Sequence, residues 1–451
     1  MRGIFGTDGV RGVANTELTP ELAFKLGRAG AAVLGARSEQ KSPIVIGRDT
    51  RVSGTMLEAA LTAGVTSAGW HTVSVGVVPT AAVAIITRRT QATAGCMISA
   101  SHNPIEDNGI KFFGPDGFKL SDEIERAIER IVDADDLERP VGPQIGSARI
   151  ALNLGAHYYD ALYEHAADLT GLTVVVDAAF GAAYAIAPYV LKKLGATVHE
   201  LHCEADGTRI NVECGATDLR PLMQRVRELI AAGDQHVIGV AFDGDADRAL
   251  FVDETGLPLT GDHIMLTLAK ALQRTGELAG DAIVGTVMSN LGLEEALKKE
   301  GIRLLRAPVG DRYVLEAMRA GGYTLGGEQS GHIIDLRRNT TGDGPMTAVT
   351  LFSTLAATGV TLHEHAGQMH SYPQVLLNVR PKNIDALDDP GIARAISIVE
   401  RRLGSAGRVL VRRSGTEPLI RVMLEGRDRA EIDRLAHELA QSIEQAPSRS
   451  A

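Results

Sequence analysis

The sequence predicts an α/β protein of several domains, and three observations carry that prediction. Short β-branched runs at residues 43–47, 72–75, 172–177 and 237–242 alternate with helix-length segments such as 57–68 and 219–231. That alternation is expected of βαβ units and a mainly parallel sheet. The chain has 451 residues, about three or four times the usual domain length. Beyond Ser371-Tyr372-Pro373 the pattern changes to single strands and longer helices, which marks off a smaller closing domain.

In chain order, a strand at 96–98 leads into a polar loop, an Asn108-Gly109 turn and a second strand at 110–113. A strand-poor, proline-containing stretch at 133–144 reads as a linker. The next alternation has a strand at 172–177, an Ala-rich helix to Leu194, a strand near Val198 and a helix at 219–231. Residues 237–242 form a continuous apolar run, the kind buried on both faces of a parallel sheet. A third alternation places helices at 262–272 and 293–299 around a strand at 282–287, followed by a helix containing 314–318. The last segment has a strand at 375–379, a helix at 392–403, a strand pair carrying Arg408 and Arg421, and a helix at 428–443. In that helix Ile432, Leu435, Ala436, Leu439 and Ile443 share one face and so pack on the last domain. The tail from Ala446 is expected to fray.

Apolar residues make up 44% and charged residues 23%, enough to bury large cores, and the formal net charge is −10. With no long basic run, nucleic acid is not an expected partner, and any phosphate must be held by locally placed Arg and Lys. Cys96, Cys203 and Cys214 form no CxxC pair, which points to a reducing compartment without structural disulfides or zinc. No signal-type segment opens the chain and no run reaches membrane-span length, so a cytoplasmic protein without membrane partners is expected.

Four stretches carry chemistry. Ala100-Ser101-His102-Asn103-Pro104 puts a serine on a turn between two strands, beside a histidine and ten residues before Lys111. That is the placement of a nucleophile whose supporting groups ride on rigid scaffold, although a plain self-bonded turn has the same composition. Asp243-Gly244-Asp245-Ala246-Asp247-Arg248 follows the apolar run at 237–242. Three carboxylates at alternate positions converge favourably only around a cation, and all-oxygen ligation suits a hard one such as Mg²⁺. An EF-hand is the rival, but Arg248 stands where its turn needs Gly, and the flanks read as strands. Gly327-Glu328-Gln329-Ser330-Gly331-His332 groups side chains that hydrogen-bond sugar hydroxyls or amines. Thr340-Thr341-Gly342-Asp343-Gly344 is a weaker candidate for the same pocket. Arg413-Ser414-Gly415-Thr416-Glu417-Pro418, with Arg421 in the next strand, makes an anion cradle or else a surface turn. Near the N-terminus, Phe5-Gly6-Thr7-Asp8-Gly9-Val10-Arg11-Gly12 allows close backbone approach to a ligand that Arg11 would also face.

Taken together and in this order, the four motifs resemble those of the α-D-phosphohexomutase superfamily over essentially the whole chain. The resemblance implies three related α/β domains with mixed sheets plus a smaller α+β C-terminal domain around a central cleft, bounded at about 1–150, 151–255, 256–370 and 371–451. It implies that Ser101 works as a phosphoserine and that one Mg²⁺ is held by Ser101, Asp243, Asp245 and Asp247. Arg11, His102 and Lys111 would serve catalysis. Arg248, Glu328, Ser330, His332, Arg413, Ser414, Gly415, Thr416 and Arg421 would bind substrate.

The implied reaction is phosphoryl transfer between the 6- and 1-positions of a hexosamine phosphate by way of a bisphosphate, feeding UDP-N-acetylglucosamine and cell-wall precursor synthesis. Glucosamine over glucose or mannose rests on Gln329 and on the N-terminal glycine-rich string, and a glucose or mannose phosphomutase is the alternative. A homodimer is allowed. A Ser-His-Asp hydrolase is disfavoured because adjacent Ser101 and His102 are poorly placed to hydrogen-bond as nucleophile and base, and because phosphate handling would be unexplained.

Overall fold

Why the alternating runs become sheets is clearest at residues 237–242, all six of which are buried, so each side chain of this strand is removed from water on both faces. In the computed structural model, residues 3–6, 8–38, 41–134, 136–234, 236–381, 384–413 and 419–445 are described. They fold as two compact units, Met1–Thr286 with Ile302–Gly367, and Val287–Gly301 with Gln368–Ala451.

The first unit carries three sheets. Strands β1 (Val10–Val13), β2 (Ile44–Arg48), β3 (Thr72–Val77), β4 (Ala94–Ile98), β5 (Asp107–Phe113) and β6 (Ala148–Ile150) form the first, in the order β1-β5-β4-β2-β3-β6. Its β2, β3, β4 and β6 pair parallel, while β5 is antiparallel to both β4 and β1. Strands β7 (Thr173–Asp177), β8 (Thr197–Leu201), β9 (Val237–Phe242), β10 (Ala249–Val252) and β11 (Pro258–Leu259) form the second, in the order β11-β10-β9-β7-β8. Strands β12 (Ala282–Thr286), β13 (Arg303–Ala307), β14 (Leu325–Gly327) and β15 (Ile333–Asp335) form the third. Each sheet therefore has a parallel centre and an antiparallel edge, so the sheets are mixed rather than mainly parallel. The hairpins β4–β5, β9–β10 and β14–β15 are three of the places where the chain reverses directly between neighbouring strands, and each of these three bears one of the polar motifs.

Helices Pro20–Gly35 and Gly54–Ser67 pack over the first sheet, burying Leu26, Leu57, Leu61, Ile44, Ile46 and Phe112 together. At roughly 1.5–3 kcal/mol for each large apolar side chain taken from water, this core is what holds the turns above it in place. Among the described residues no helix is long and apolar enough to cross a membrane.

The expected Asn108-Gly109 turn is not one. Both residues lie inside β5, and the reversal is the Ser101 loop itself. Asn108 is buried, giving a hydrogen bond to Ser53 Oγ at 2.9 Å and accepting one from the Gly109 N–H at 2.8 Å. A Cβ on Gly109 would lie 2.5 Å from the Ser99 carbonyl. The dipeptide answers a packing requirement that composition alone reads as a turn. Among the described residues the stretch at 133–144 holds no strand, but it leads into the edge strand β6, which the sequence pattern did not predict.

In the second unit, β16 (Gln374–Val379), β17 (Gly407–Arg413) and β18 (Ile420–Gly426) form an antiparallel sheet in the order β16-β18-β17. Helices Pro390–Leu403 and Arg429–Glu444 cover it, and Ile432, Leu435, Ala436, Leu439 and Ile443 are buried, as their spacing predicts. The helix Leu291–Lys299 belongs to this unit. Buried Glu425 ties it in, accepting from Leu291 N at 2.9 Å, Gln374 Nε2 at 3.1 Å and Arg408 Nε at 2.5 Å. The tail from Ala446 lies outside the described residues.

Candidate active site

Ser101 occupies the left-handed region at φ +54°, in the loop between β4 and β5, and is 1% exposed. A non-glycine residue there is uncommon and needs support from its surroundings. Ser101 N donates to Ser99 Oγ at 2.9 Å, and Ser99 Oγ donates to Asp49 Oδ2 at 2.6 Å. Arg51, wholly buried, spans the loop from below. Its guanidinium donates to the carbonyls of Ser101 (2.9 Å), Asn103 (2.8 Å), Pro104 (2.5 Å) and Asp107 (3.0 Å), and to Asp49 Oδ2 at 3.0 Å. Asn211 Nδ2 adds a bond to the Ser101 carbonyl at 2.9 Å. One fixed fork satisfying four carbonyls pre-organises the serine before any ligand arrives.

Ser101 Oγ donates to Asp243 Oδ2 at 2.5 Å, across the gap between the first and second sheets. Asp243, Asp245 and Asp247 sit in the β9–β10 turn, all buried, each offering an oxygen within 4.8 Å of the others. Gly244 is required at its position, because a Cβ there would meet the Ser101 carbonyl at 2.6 Å. Strands on both sides of the turn rule out the EF-hand arrangement. Burial, then the neighbouring Asp247 and Asp245, push the Asp243 carboxyl up to about 8. Burial also opposes ionisation of Asp247, but His332, Lys111 and Arg248 outweigh it and hold that carboxyl far below its usual value. Asp245 Oδ1 and Asp247 Oδ1 are buried without hydrogen-bond partners. Crowded carboxylates with unused lone pairs are the donor set of a hard divalent cation, and these residues fit one.

Cations ring the trio. Lys111 Nζ, 1% exposed, is 2.8 Å from Asp245 Oδ2, 2.9 Å from Asp8 Oδ2 and 3.8 Å from Asp247 Oδ2. Burial disfavours its charge, but Asp245 and Asp8 more than compensate, so it stays protonated. Arg11 donates to Asp8, and to Asn103 Oδ1 at 3.0 Å. Lys119 bridges Asp8 and Asp311. Thr80 Oγ1 donates to Asp245 Oδ2 at 2.6 Å. His332 Nδ1 is 3.5 Å from Asp247 Oδ1 and its Nε2 is 3.7 Å from Asp311 Oδ2. Burial works against protonation of this ring, yet Asp247 and Asp311 raise it to about 9. Arg248 Nε stands 3.8 Å from Asp247 Oδ1.

His102 Nδ1 lies 3.3 Å from Ser101 Oγ. This corrects the geometric reason given against a hydrolase, because the left-handed turn at Ser101 brings the adjacent ring within hydrogen-bond distance after all. The surrounding protein, then Arg248 and Arg11, push the His102 imidazole down to about 4, so it is neutral near pH 7.

Glu328 and Ser330 lie on the β14–β15 turn. Glu328 accepts from Gly310 N at 3.0 Å and stands 3.5 Å from Ser330 Oγ. Thr340 and Asp343 turn inward instead of toward this turn. Thr340 Oγ1 bonds the Gly117 carbonyl at 2.6 Å, and Asp343 Oδ1 accepts from Tyr158 OH at 2.6 Å while capping the helix Gly344–Thr358. Both residues therefore serve the fold.

The second unit holds Arg413 and Arg421. The β17–β18 register sets Arg421 opposite Arg412, and Arg413 opposite Ile420, so alternation sends Arg413 to the other face of the sheet. Burial, then the facing Arg421, lower the Arg412 pKa. Like charges directly opposed across strands are unfavourable unless an anion joins them. Arg413 donates to Asp388 Oδ2 at 2.7 Å and Asp385 Oδ1 at 3.3 Å. Ser414, Gly415 and Thr416 lie outside the described residues, as does Thr7.

Sequence reasoning missed Asp8, Asp49, Arg51, Thr80, Lys119, Asn211 and Asp311. One signal could have found two of them. Arg48-Asp49-Thr50-Arg51 follows a β-branched strand, and the carboxyl ends of parallel strands are where α/β sheets place sites.

Comparison with known proteins agrees with this architecture and extends it to the whole chain. Residues 2–139, 156–256, 260–372 and 376–442 match, in turn, domains I, II, III and the C-terminal domain of phosphoglucomutase/phosphomannomutase. A phosphoglucosamine mutase of Thermoanaerobacter sp. (strain X514) is 52% identical, over 98% of this chain and 99% of its own. In structure, a phosphoglucomutase/phosphomannomutase family protein of Burkholderia thailandensis superposes with a TM-score of 0.84 at 24% identity, covering 99% of this chain and 98% of its own. An N-acetylphosphoglucosamine mutase of Aspergillus fumigatus, solved with GlcNAc-6P and magnesium, shares the fold at a TM-score of 0.68 and 18% identity, covering 98% of this chain and 96% of its own. With all four domains matched in order, and a near-full-length relative at half identity, the chain belongs to the phosphoglucomutase/phosphomannomutase family.

Proposed function

We propose that the chain interconverts glucosamine 6-phosphate and glucosamine 1-phosphate through a phosphoserine at Ser101 and a glucosamine 1,6-bisphosphate. The observation that carries this reading is the Ser101 hydroxyl, held in a left-handed turn with its oxygen 2.5 Å from the buried acidic trio, in a chain half identical to a phosphoglucosamine mutase.

In the first half-reaction the sugar O1 attacks phosphorus and gives its proton to a base, and the P–Oγ bond breaks as Ser101 Oγ takes up a proton. In the second, Ser101 Oγ gives up its proton as it attacks the 6-phosphate of the turned bisphosphate, and the sugar O6 leaves and takes a proton. His102, neutral and 3.3 Å from Ser101 Oγ, is positioned to accept the Ser101 proton when Oγ attacks and to return it when Oγ leaves. Lys111, kept charged by Asp245 and Asp8, is positioned to pair with the transferring phosphoryl oxygens.

A phosphoserine carries about −1.5 to −2 charges, which next to Asp243 calls for a counter-charge. Mg²⁺ held by Asp243, Asp245, Asp247 and the phosphate would neutralise this charge and polarise the phosphoryl group. Arg11 and Arg248 flank the same trio. Glu328 and Ser330 are assigned to sugar hydroxyls, His332 to the pocket wall, and Arg413 to Thr416 with Arg421 to the phosphate that is not reacting. Gln329 remains the basis for preferring a 2-amino sugar.

The test is mass spectrometry of the purified protein incubated with Mg²⁺ and glucose 1,6-bisphosphate, then with individual hexose phosphates. One phosphate should appear on Ser101 and discharge to glucosamine 6-phosphate faster than to glucose or mannose 6-phosphate. Faster discharge to either of the latter reassigns the substrate, and a Ser101 that never takes phosphate overturns the mechanism.

A further inference from the structure

The spacing of the cysteines gave no reason to expect a soft-metal site, yet the fold assembles a second ligand cluster in the first unit. Asp177 at the end of β7, His202 just beyond β8 and Cys214 in the following loop each offer a ligand atom, and these atoms lie within 4.8 Å of one another. Asp177 is fully buried. Its Oδ1 accepts from Ala179 N at 3.0 Å, while Oδ2 is buried with no hydrogen-bond partner. His202 Nδ1 stands 3.1 Å from Asp177 Oδ1, and that carboxylate raises the imidazole pKa. The buried Asp177 Oδ2 is left desolvated and unsatisfied, which is costly unless a ligand joins it.

We propose that Asp177, His202 and Cys214 form a site for a borderline divalent transition metal of the Zn²⁺ or Co²⁺ type, separate from the acidic trio. The donor set decides the class. One carboxylate, one imidazole and one thiolate suit zinc-like ions, whereas Mg²⁺ requires oxygen. With bonds of about 2.0–2.3 Å, tetrahedral ligand atoms stand roughly 3.2–3.8 Å apart, so a small contraction of the cluster completes three positions and leaves the fourth to water. Binding breaks the Cys214 S–H bond and releases its proton to solvent as the sulfur–metal bond forms.

The site staples the chain on either side of residues 203–213. That segment carries Asn211, whose amide holds the Ser101 carbonyl at 2.9 Å and lies 3.4 Å from that of Asn103. Gly207 forms a β-bridge with Arg51. A metal there would stiffen the loop that supports the phosphoserine turn without touching the reacting atoms.

The test uses the full chain, stripped with a chelator under reducing conditions and then titrated with Co²⁺ in excess Mg²⁺. One equivalent should produce a thiolate-to-cobalt charge-transfer band. That band should persist in Cys203→Ser and Asp243→Asn, and disappear in Cys214→Ser and in His202→Ala. The histidine is partly exposed, with a 26% accessible side chain, so its removal leaves the core intact and the result does not depend on the cysteine variant folding. No band in the wild type, or a band that survives either ligand variant, overturns the proposal.

Discussion

The two regions proposed to handle phosphate are built on opposite plans. Around Ser101 the charged groups closest to the loop, Asp49, Arg51, Lys111 and the acidic trio, are buried, and the two cations among them are each fixed by several partners. Arg51 bonds four carbonyls and Asp49, and Lys111 sits among three carboxylates. At the end of β17, Arg413 is 44% exposed and held by surface carboxylates. The contrast separates two tasks. Bond-making chemistry needs groups held within about half an ångström of their working positions, which only a buried, satisfied network provides. Holding a phosphate that does not react needs charge and reach, which exposed arginines on a strand end supply at little cost to the fold.

Predictions that break or sharpen this contrast run from large to small. Ser101→Ala should lower turnover by about 10⁴-fold or more while the protein remains folded, since it deletes the nucleophile and little else. Near wild-type turnover, alongside an unchanged circular dichroism spectrum, would falsify the assignment.

Arg51→Ala should cost about 3–5 kcal/mol in denaturant unfolding, because it leaves Asp49 buried without its cation and strands the loop carbonyls. Activity should fall about 10²-fold with it. If stability and activity both stay within a few-fold of wild type, the loop does not depend on the fork. Arg51→Lys should recover only part of either, as an ammonium cannot span those acceptors.

In chelator, stability should fall as pH rises from about 6 to 9. Asp243 binds its proton more tightly folded, at about 8, than its ordinary carboxylate value allows, and His332 does the same, at about 9. Both groups therefore favour the folded state at the lower pH, and both contributions are lost as pH climbs through those values. Asp243→Asn should flatten the part below pH 8, and a pH-independent unfolding midpoint between 6 and 9 would contradict the electrostatic picture.

The smallest effect belongs to Arg413→Ala. KM should rise about tenfold with kcat within about threefold and unfolding unchanged, the signature of lost binding alone. A fall in kcat equal to that caused by Arg51→Ala would erase the distinction between the two regions.

Much of the fold was legible because burial leaves a periodic trace. The runs at 172–177 and 237–242 became β7 and β9 within a residue, and the face of Ile432, Leu435 and Leu439 packs as its spacing indicated. The turn motifs were legible because Gly, Asp and Ser cluster where chains reverse around ligands. Asn108-Gly109 misled because the same composition serves a close backbone approach inside a strand. Lys119, Asn211 and Asp311 were invisible because a lone polar residue carries no period, and the partners that fix them lie a hundred residues away or more.

From residue order alone came the α/β class, the hydroxyl, the acidic trio and the family, since these depend on local spacing and on motif order. Tertiary structure alone decided that Arg51 would hold the serine turn, that His102 would reach Ser101, that Arg421 would face Arg412 instead of Arg413, and that Asp177, His202 and Cys214 would meet. Register, handed turns and burial bring distant residues within bonding range, and no local pattern in the chain records those distances.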